Sequence, residues 1–204
     1  MKIQIVYCHP SQKSYTHEIL EQLKSSLIKE NLKFEVSDLY MMNFQTDMSK
    51  EEYDREGFVN SYLPIPNDEK EEHRKIEQSD CLIFVYPVWW SDCPAKLKGW
   101  FDRVYSVGYA YGYDESRTNI QKMKTILYGI ALCTTGHPNE FLDEIGIAES
   151  MRNVMIDDRL GQRFDKKEMI ILGGTSDRKK VENEHFVIVK DIAKRIKKYC
   201  ALRV

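Results

Sequence analysis

Apolar residues cluster at the start of the chain from Lys2 to Cys8 (KIQIVYC), and the run breaks into the polar segment His9-Pro10-Ser11-Gln12-Lys13-Ser14. Ile19, Leu20, Leu23 and Leu27 then recur at helical spacing, which predicts a strand, a loop and a helix. Phe34, Val36 and Leu39 predict a second strand. Cys81 to Tyr86 (CLIFVY) and Thr125 to Cys133 (TILYGIALC) are continuous apolar runs, as expected where both faces of a parallel sheet are covered. Met169 to Leu172, closed by Gly173-Gly174, predicts the last strand. A helix from about Lys179 to Tyr199 follows, with Phe186, Val189, Ile192 and Ile196 on one stripe. Five strands alternating with helices predict an α/β fold, a doubly wound parallel sheet of order 2-1-3-4-5 with helices on both faces. Tyr40 to Lys75 is longer than an ordinary connection and rich in Met, Asp and Glu, which predicts an irregular excursion and one solvated acidic helix.

The 204 residues, 42% hydrophobic and 30% charged, suit a single domain over 1–204. Thirty Lys and Arg against thirty-two Asp and Glu give a net charge of -2, with no basic excess to hold nucleic acid. The run from Ile126 to Cys133 is far shorter than the ~20 residues of a spanning helix, and the N-terminus has no secretory pattern, so a cytoplasmic location is expected. Cys8, Cys81, Cys93, Cys133 and Cys200 are odd in number and scattered, which points to reduced thiols and no metal.

In an open α/β sheet, ligands bind beyond the carboxyl ends of the strands where the strand order reverses. The loops there read HPSQKS, PVWWSDCP and TTGHPNE, and they are expected to converge. In the first, His9, Ser11, Ser14 and Thr16 at a helix start suit a phosphate, although Ser14 or Thr16 acting only as a helix cap fits equally well. In the second, Pro94 suits the first position of a helix capped by Ser91 or Asp92. Trp89 and Trp90 leave a buried strand, so one is expected in the core and the other against a ligand. In the third, Gly136 permits close approach of a flat ligand, or simply a tight turn. His137 is either a chemical group or a solvated loop histidine. The tyrosines between Tyr105 and Tyr113 suit a substrate slot, a subunit interface or a surface cluster. The G-x-G-x-x-G and Walker A patterns are missing, and Ser14 stands where a cysteine phosphatase with Cys8 as nucleophile needs Arg. His9, Pro87 and Thr134 likewise replace the aspartates of a magnesium-binding receiver.

Taken together, the loops resemble the NAD(P)H:quinone oxidoreductase family of flavodoxin-like flavoproteins, which includes the modulator of drug activity B and the ancillary oxidoreductases of potassium efflux systems. The resemblance is carried by the run from Tyr86 to Val104 (YPVWWSDCPAKLKGWFDRV), by Gly108-Tyr109-Ala110-Tyr111, by His9-Pro10 with Ser14, and by Thr134-Thr135-Gly136. It implies a flavin, FMN or FAD, whose phosphate lies at His9, Ser14, Tyr15 and Thr16; family members often have Asn at the position of Thr16. It further implies that Pro87, Val88, Trp89, Trp90 and Ser91 border the isoalloxazine, and Thr134, Thr135, Gly136 and His137 its pyrimidine edge. Adenine contacts, if the flavin is FAD, are expected within Tyr40 to Lys75.

The implied reaction is ping-pong hydride transfer from NADH or NADPH to the flavin, then two-electron reduction of a quinone or similar acceptor, in a homodimer. The Tyr/His pair that well-known members carry after the third motif falls on Leu142 and Ala148, so it does not transfer; His137 is a catalytic candidate by proximity alone. An electron carrier or redox-sensing flavin module is the alternative, and a flavin-free α/β binding domain a third reading.

Overall fold

The computed structural model describes residues 1–113 and 116–201; residues 114–115 and 202–204 of the expected domain lie outside them. Five strands, β1 (Lys2–Tyr7), β2 (Lys33–Asp38), β3 (Cys81–Pro87), β4 (Ile126–Thr134) and β5 (Phe164–Leu172), form one parallel sheet of order β2-β1-β3-β4-β5. This is the flavodoxin-like arrangement that the alternation of elements predicts. Between and after the strands run α1 (Tyr15–Lys29), α2 (Lys50–Gly57), α3 (Asn67–Glu77), α4 (Ala95–Val104), α5 (Asn139–Glu144), α6 (Ile147–Arg152), a π-helical segment (Asn153–Leu160) and α7 (Arg178–Ala201).

Side chains alternate across the sheet because successive Cβ atoms of a strand point to opposite faces. Ile3, Ile5, Cys81, Ile83, Val85, Ile130 and Leu132 pack against Ile19 and Leu23 of α1 and Val189, Ile192 and Ile196 of α7. Val6, Leu82, Phe84, Tyr86, Ala131 and Cys133 pack on the other face against Leu97, Trp100 and Phe101 of α4 and against Met151 and Leu160. Gly129 of β4 lets the π-helical segment close on the sheet, since a Cβ there would stand 2.6 Å from Phe164 and 2.7 Å from Leu160. All five cysteines are free and buried. No helix among the described residues is long and apolar enough to cross a membrane.

The excursion departs from its sequence reading. It holds two helices, α2 and α3, and three of their carboxylates, Glu52, Glu69 and Glu72, are buried, while Glu51, Glu71 and Glu77 are exposed. Each has hydrogen-bond partners, as a buried polar group requires. Arg103 of α4 donates to Glu52 at 2.7 Å, and Arg55 donates to Glu69 at 3.1 Å. Glu72 accepts from Gln4 at 2.9 Å, Ser37 at 2.9 Å, Lys75 at 2.7 Å and the Trp100 indole at 2.9 Å. β5 also begins well before Met169, at Phe164; among the described residues it pairs with β4 alone, so its first half carries polar residues such as Asp165 and Lys166.

Candidate functional site

The strand ends lie flush along one edge of the sheet, with Tyr7 paired to Asp38 and Val85, Pro87 to Thr134, and Thr134 to Leu172. The three loops therefore start side by side, and Thr134 joins them. Its carbonyl accepts the Val88 N–H of the second loop at 2.8 Å, and its hydroxyl meets that of Thr16, behind the first loop, at 2.8 Å. The His9 ring stands edge-on to Trp89 with centroids 6.1 Å apart, closing the first loop on the second.

In the first loop Ser14 is the N-cap of α1, its hydroxyl accepting the His17 N–H at 3.1 Å. The N–H groups of Tyr15 and Thr16 lie in the first turn, where a helix supplies no carbonyl of its own. His9 Nδ1 lies 2.9 Å from the Ser11 N–H and 3.1 Å from the Ser11 carbonyl, so it bonds the Ser11 backbone in either tautomer and Nε2 points away from that contact. Burial pushes the His9 pKa down, which favours the neutral ring. The Tyr15 hydroxyl meets His185 Nδ1 of α7 at 2.9 Å. Thr16 is buried with its hydroxyl turned to Thr134.

The second loop corrects two expectations. Neither tryptophan enters the core: Trp89 is 42% exposed and Trp90 fully so. The reason is a two-residue turn, Trp89 to Asp92, that stands off the strand instead of continuing its alternation. Neither Ser91 nor Asp92 caps α4, which starts behind Pro94 without a side-chain cap. Asp92 instead accepts the Cys93 N–H at 2.6 Å and both terminal guanidinium nitrogens of Arg159, at 2.7 and 2.8 Å.

In the third loop Thr135 N–H donates to Leu172 at 3.1 Å, and its carbonyl accepts the N–H and hydroxyl of Thr175, each at 3.0 Å. Gly136 and His137 are exposed at the opening. A Cβ on Gly136 would stand 2.9 Å from the Ser176 hydroxyl. His137 keeps its ring 4.9 Å from Phe141. Leu142 and Ala148 are both core residues, so these two positions present no polar group to a ligand.

Around the tyrosines, Glu56 of α2 accepts the Val107 N–H and the Tyr111 hydroxyl, each at 2.8 Å. Tyr109 is buried, stacked on His73 at 3.6 Å, whereas Tyr111 and Tyr113 are exposed. Tyr111 and Tyr113 line a cavity of about 520 Å³ with Asn119, Gln121, Asp157 and Arg163; no residue of the three loops lines it. Three residues of this region escape sequence reasoning: Arg159, His185 and Glu56. The available signal was Asp92, a carboxylate in a largely apolar loop that calls for a cation.

Residues 1–162 match the protein-family model described as Flavodoxin-like fold. A solved structure named NAD(P)H:quinone oxidoreductase, from Methanothermobacter marburgensis, is 43% identical, covers 96% of this chain and 98% of its own, and superposes with a TM-score of 0.87. A protein of Haemophilus influenzae named as an NAD(P)H oxidoreductase is 32% identical over 154 residues, 74% of this chain and 73% of its own. An FMN-dependent NADH-azoreductase of Bacillus anthracis, solved with FMN, shares the fold at 17% identity and a TM-score of 0.69, covering 96% of this chain and 99% of its own.

Proposed function

This chain belongs to the flavodoxin-like fold family, and on that premise we propose that it is a flavin-dependent NAD(P)H oxidoreductase acting on a quinone or similar acceptor. The observation that carries the reading is the junction at Thr134, which brings the three loops to one opening. It is supported by similarity over nearly the whole chain to a quinone oxidoreductase.

The residues present suit a flavin. From His9 to Thr16 the first loop carries no carboxylate, and it offers the His9 imidazole, the hydroxyls of Ser11 and Ser14 and the positive end of α1 to a phosphate. Tyr15 is held beside it by His185. Pro87, Val88, Trp89, Trp90 and Ser91 offer backbone and an aromatic wall to a flat ring system, while Thr134, Thr135, Gly136 and His137 offer fixed dipoles to its far edge. A bound flavin, FMN or FAD, supplies hydride acceptance from NADH or NADPH and two-electron return to the acceptor, a ping-pong order. The chain's part is to bind, to orient and to stabilise developing negative charge with dipoles that need no reorganisation. His137, the exposed imidazole of the third loop, is the catalytic candidate. A homodimer would cover Trp90, Tyr111 and Tyr113, and the protein would work in the cytoplasm.

Leu142 and Ala148 favour a second reading, because their burial removes the polar pair on which well-known quinone reductases rely. On that reading the chain is a flavin-binding carrier or sensor without efficient NAD(P)H oxidation. Incubation with FMN or FAD, a visible spectrum, and anaerobic addition of NADPH or NADH separate the two. Flavin bands that bleach are expected; bands that persist support the carrier, and a colourless protein overturns both.

A further inference from the structure

The turn between Trp89 and Asp92 is closed by two backbone bonds, Trp89 N–H to the Asp92 carbonyl at 2.9 Å and Asp92 N–H to the Trp89 carbonyl at 3.2 Å. Both central residues have positive φ, Trp90 at 51° and Ser91 at 63°. Glycine, asparagine and aspartate are the usual occupants of such positions, because a Cβ there crowds the backbone. A shape that its own residues disfavour persists only where the surroundings fix it.

Two anchors do so. On the strand side Val88 is tied to Thr134. On the helix side the Asp92 carboxylate is gripped by both terminal nitrogens of Arg159, the planar fork-to-fork arrangement that sets direction as well as distance. Arg159 is itself buried, its guanidinium 5.4 Å from the Phe101 ring centroid and its Nη1 3.3 Å from Cys93 Sγ. It projects from the π-helical segment, a rare conformation that is frequent at functional sites.

We infer that Arg159 is the positioning residue for the tryptophan turn, holding Asp92 so that Trp89 and Trp90 are presented at the opening in one fixed direction. Its value to ligand binding rests on the flavin reading above; its grip on the turn does not. Lysine, a point charge with no planar fork, cannot make both bonds in the same plane.

The three tryptophans make the test self-referencing. Trp89 and Trp90 report the turn, and Trp100, whose indole donates to buried Glu72, reports the core. Indole N–H signals are recorded by NMR on the full chain without flavin for the wild type, Arg159→Met, Arg159→Lys and Asp92→Asn. FMN and FAD affinities are then titrated on the same samples. Arg159→Met is expected to move the Trp89 and Trp90 signals and leave Trp100 in place, and to weaken flavin binding about tenfold, the scale of one charge-assisted hydrogen bond. Arg159→Lys should fall between, and Asp92→Asn should reproduce the Trp89 and Trp90 shifts. Unmoved Trp89 and Trp90 signals in folded Arg159→Met overturn the inference, as does displacement of Trp100 in all three variants, which marks general loss of packing. Moved turn signals with unchanged affinity, in a wild type that binds flavin, establish the grip on the turn and overturn its value to ligand binding. A wild type that binds no flavin sinks the flavin reading instead, and the indole signals alone then decide the positioning role.

Discussion

The Ser11 backbone engages His9 Nδ1, and burial favours the neutral ring, so His9 offers a ligand an imidazole edge and not a cation. Replacing both His9 and Ser14 with Ala is therefore expected to weaken flavin binding by about 2–3 kcal/mol, the loss of two hydrogen bonds to a charged group, read by fluorescence titration. His9→Asn, which keeps an N–H donor, should recover part of that loss. Ser14→Ala alone removes the cap of α1 and should also lower stability by about 1 kcal/mol, measured by urea unfolding without ligand. At this scale the sequence revealed Ser14 as both cap and phosphate candidate, since each role needs only a hydroxyl at a helix start. It concealed Arg159, because nothing local ties it to Asp92 across 67 residues. It also misplaced the tryptophans, since alternation along a strand says nothing once a turn lifts residues off the sheet.

Among the elements, α2, α3 and α4 are joined by the buried carboxylates and arginines, and this cluster gives the fold a pH dependence. Burial, with Glu52 alongside, pushes the Glu69 pKa up from 4.5 to about 8. The folded chain thus keeps a proton that the unfolded chain has lost between those values, so this contribution is present below pH 4.5 and fades as pH rises through the folded pKa of about 8. Glu52, despite its own burial, is held low by Glu69, the Ser49 N–H and Arg103, so it stays ionised over the same window. The urea midpoint should fall across this range, and Glu69→Gln should flatten the decline. Gly129→Ala should destabilise by about 1–3 kcal/mol, as overpacked cores do, because Leu160 and Phe164 must move. Strands with continuous apolar runs were legible from their composition. The excursion was not, since the partner that buries Glu52 lies 51 residues away on α4. The start of β5 was hidden for a different reason, as an edge strand tolerates polar residues that blur its pattern.

At the level of the whole molecule, five strands and the apolar stripes were enough to predict sheet order and both covered faces, and the convergence of the loops followed from topology. Surface exposure did not follow, because it depends on which elements meet. Trp90, Tyr111 and Tyr113 are exposed, and so are Phe58, Val59 and Tyr62. If a second copy covers the tyrosines, light scattering should return about twice the 24.1 kDa chain mass, and Tyr113→Asp should shift the population toward monomer. Size unchanged by that substitution would place any interface elsewhere. The sealed cysteines have a kinetic meaning. Burial pushes Cys8, Cys93 and Cys133 each up to about 12 and raises Cys81 and Cys200, so an alkylating reagent meets no ready thiolate in the native chain. Each thiol then becomes a clock for the opening of its own region. Cys200, on the last turn of α7, should be modified first by fraying, and Cys133, buried on β4 between β3 and β5, only at the rate of global unfolding.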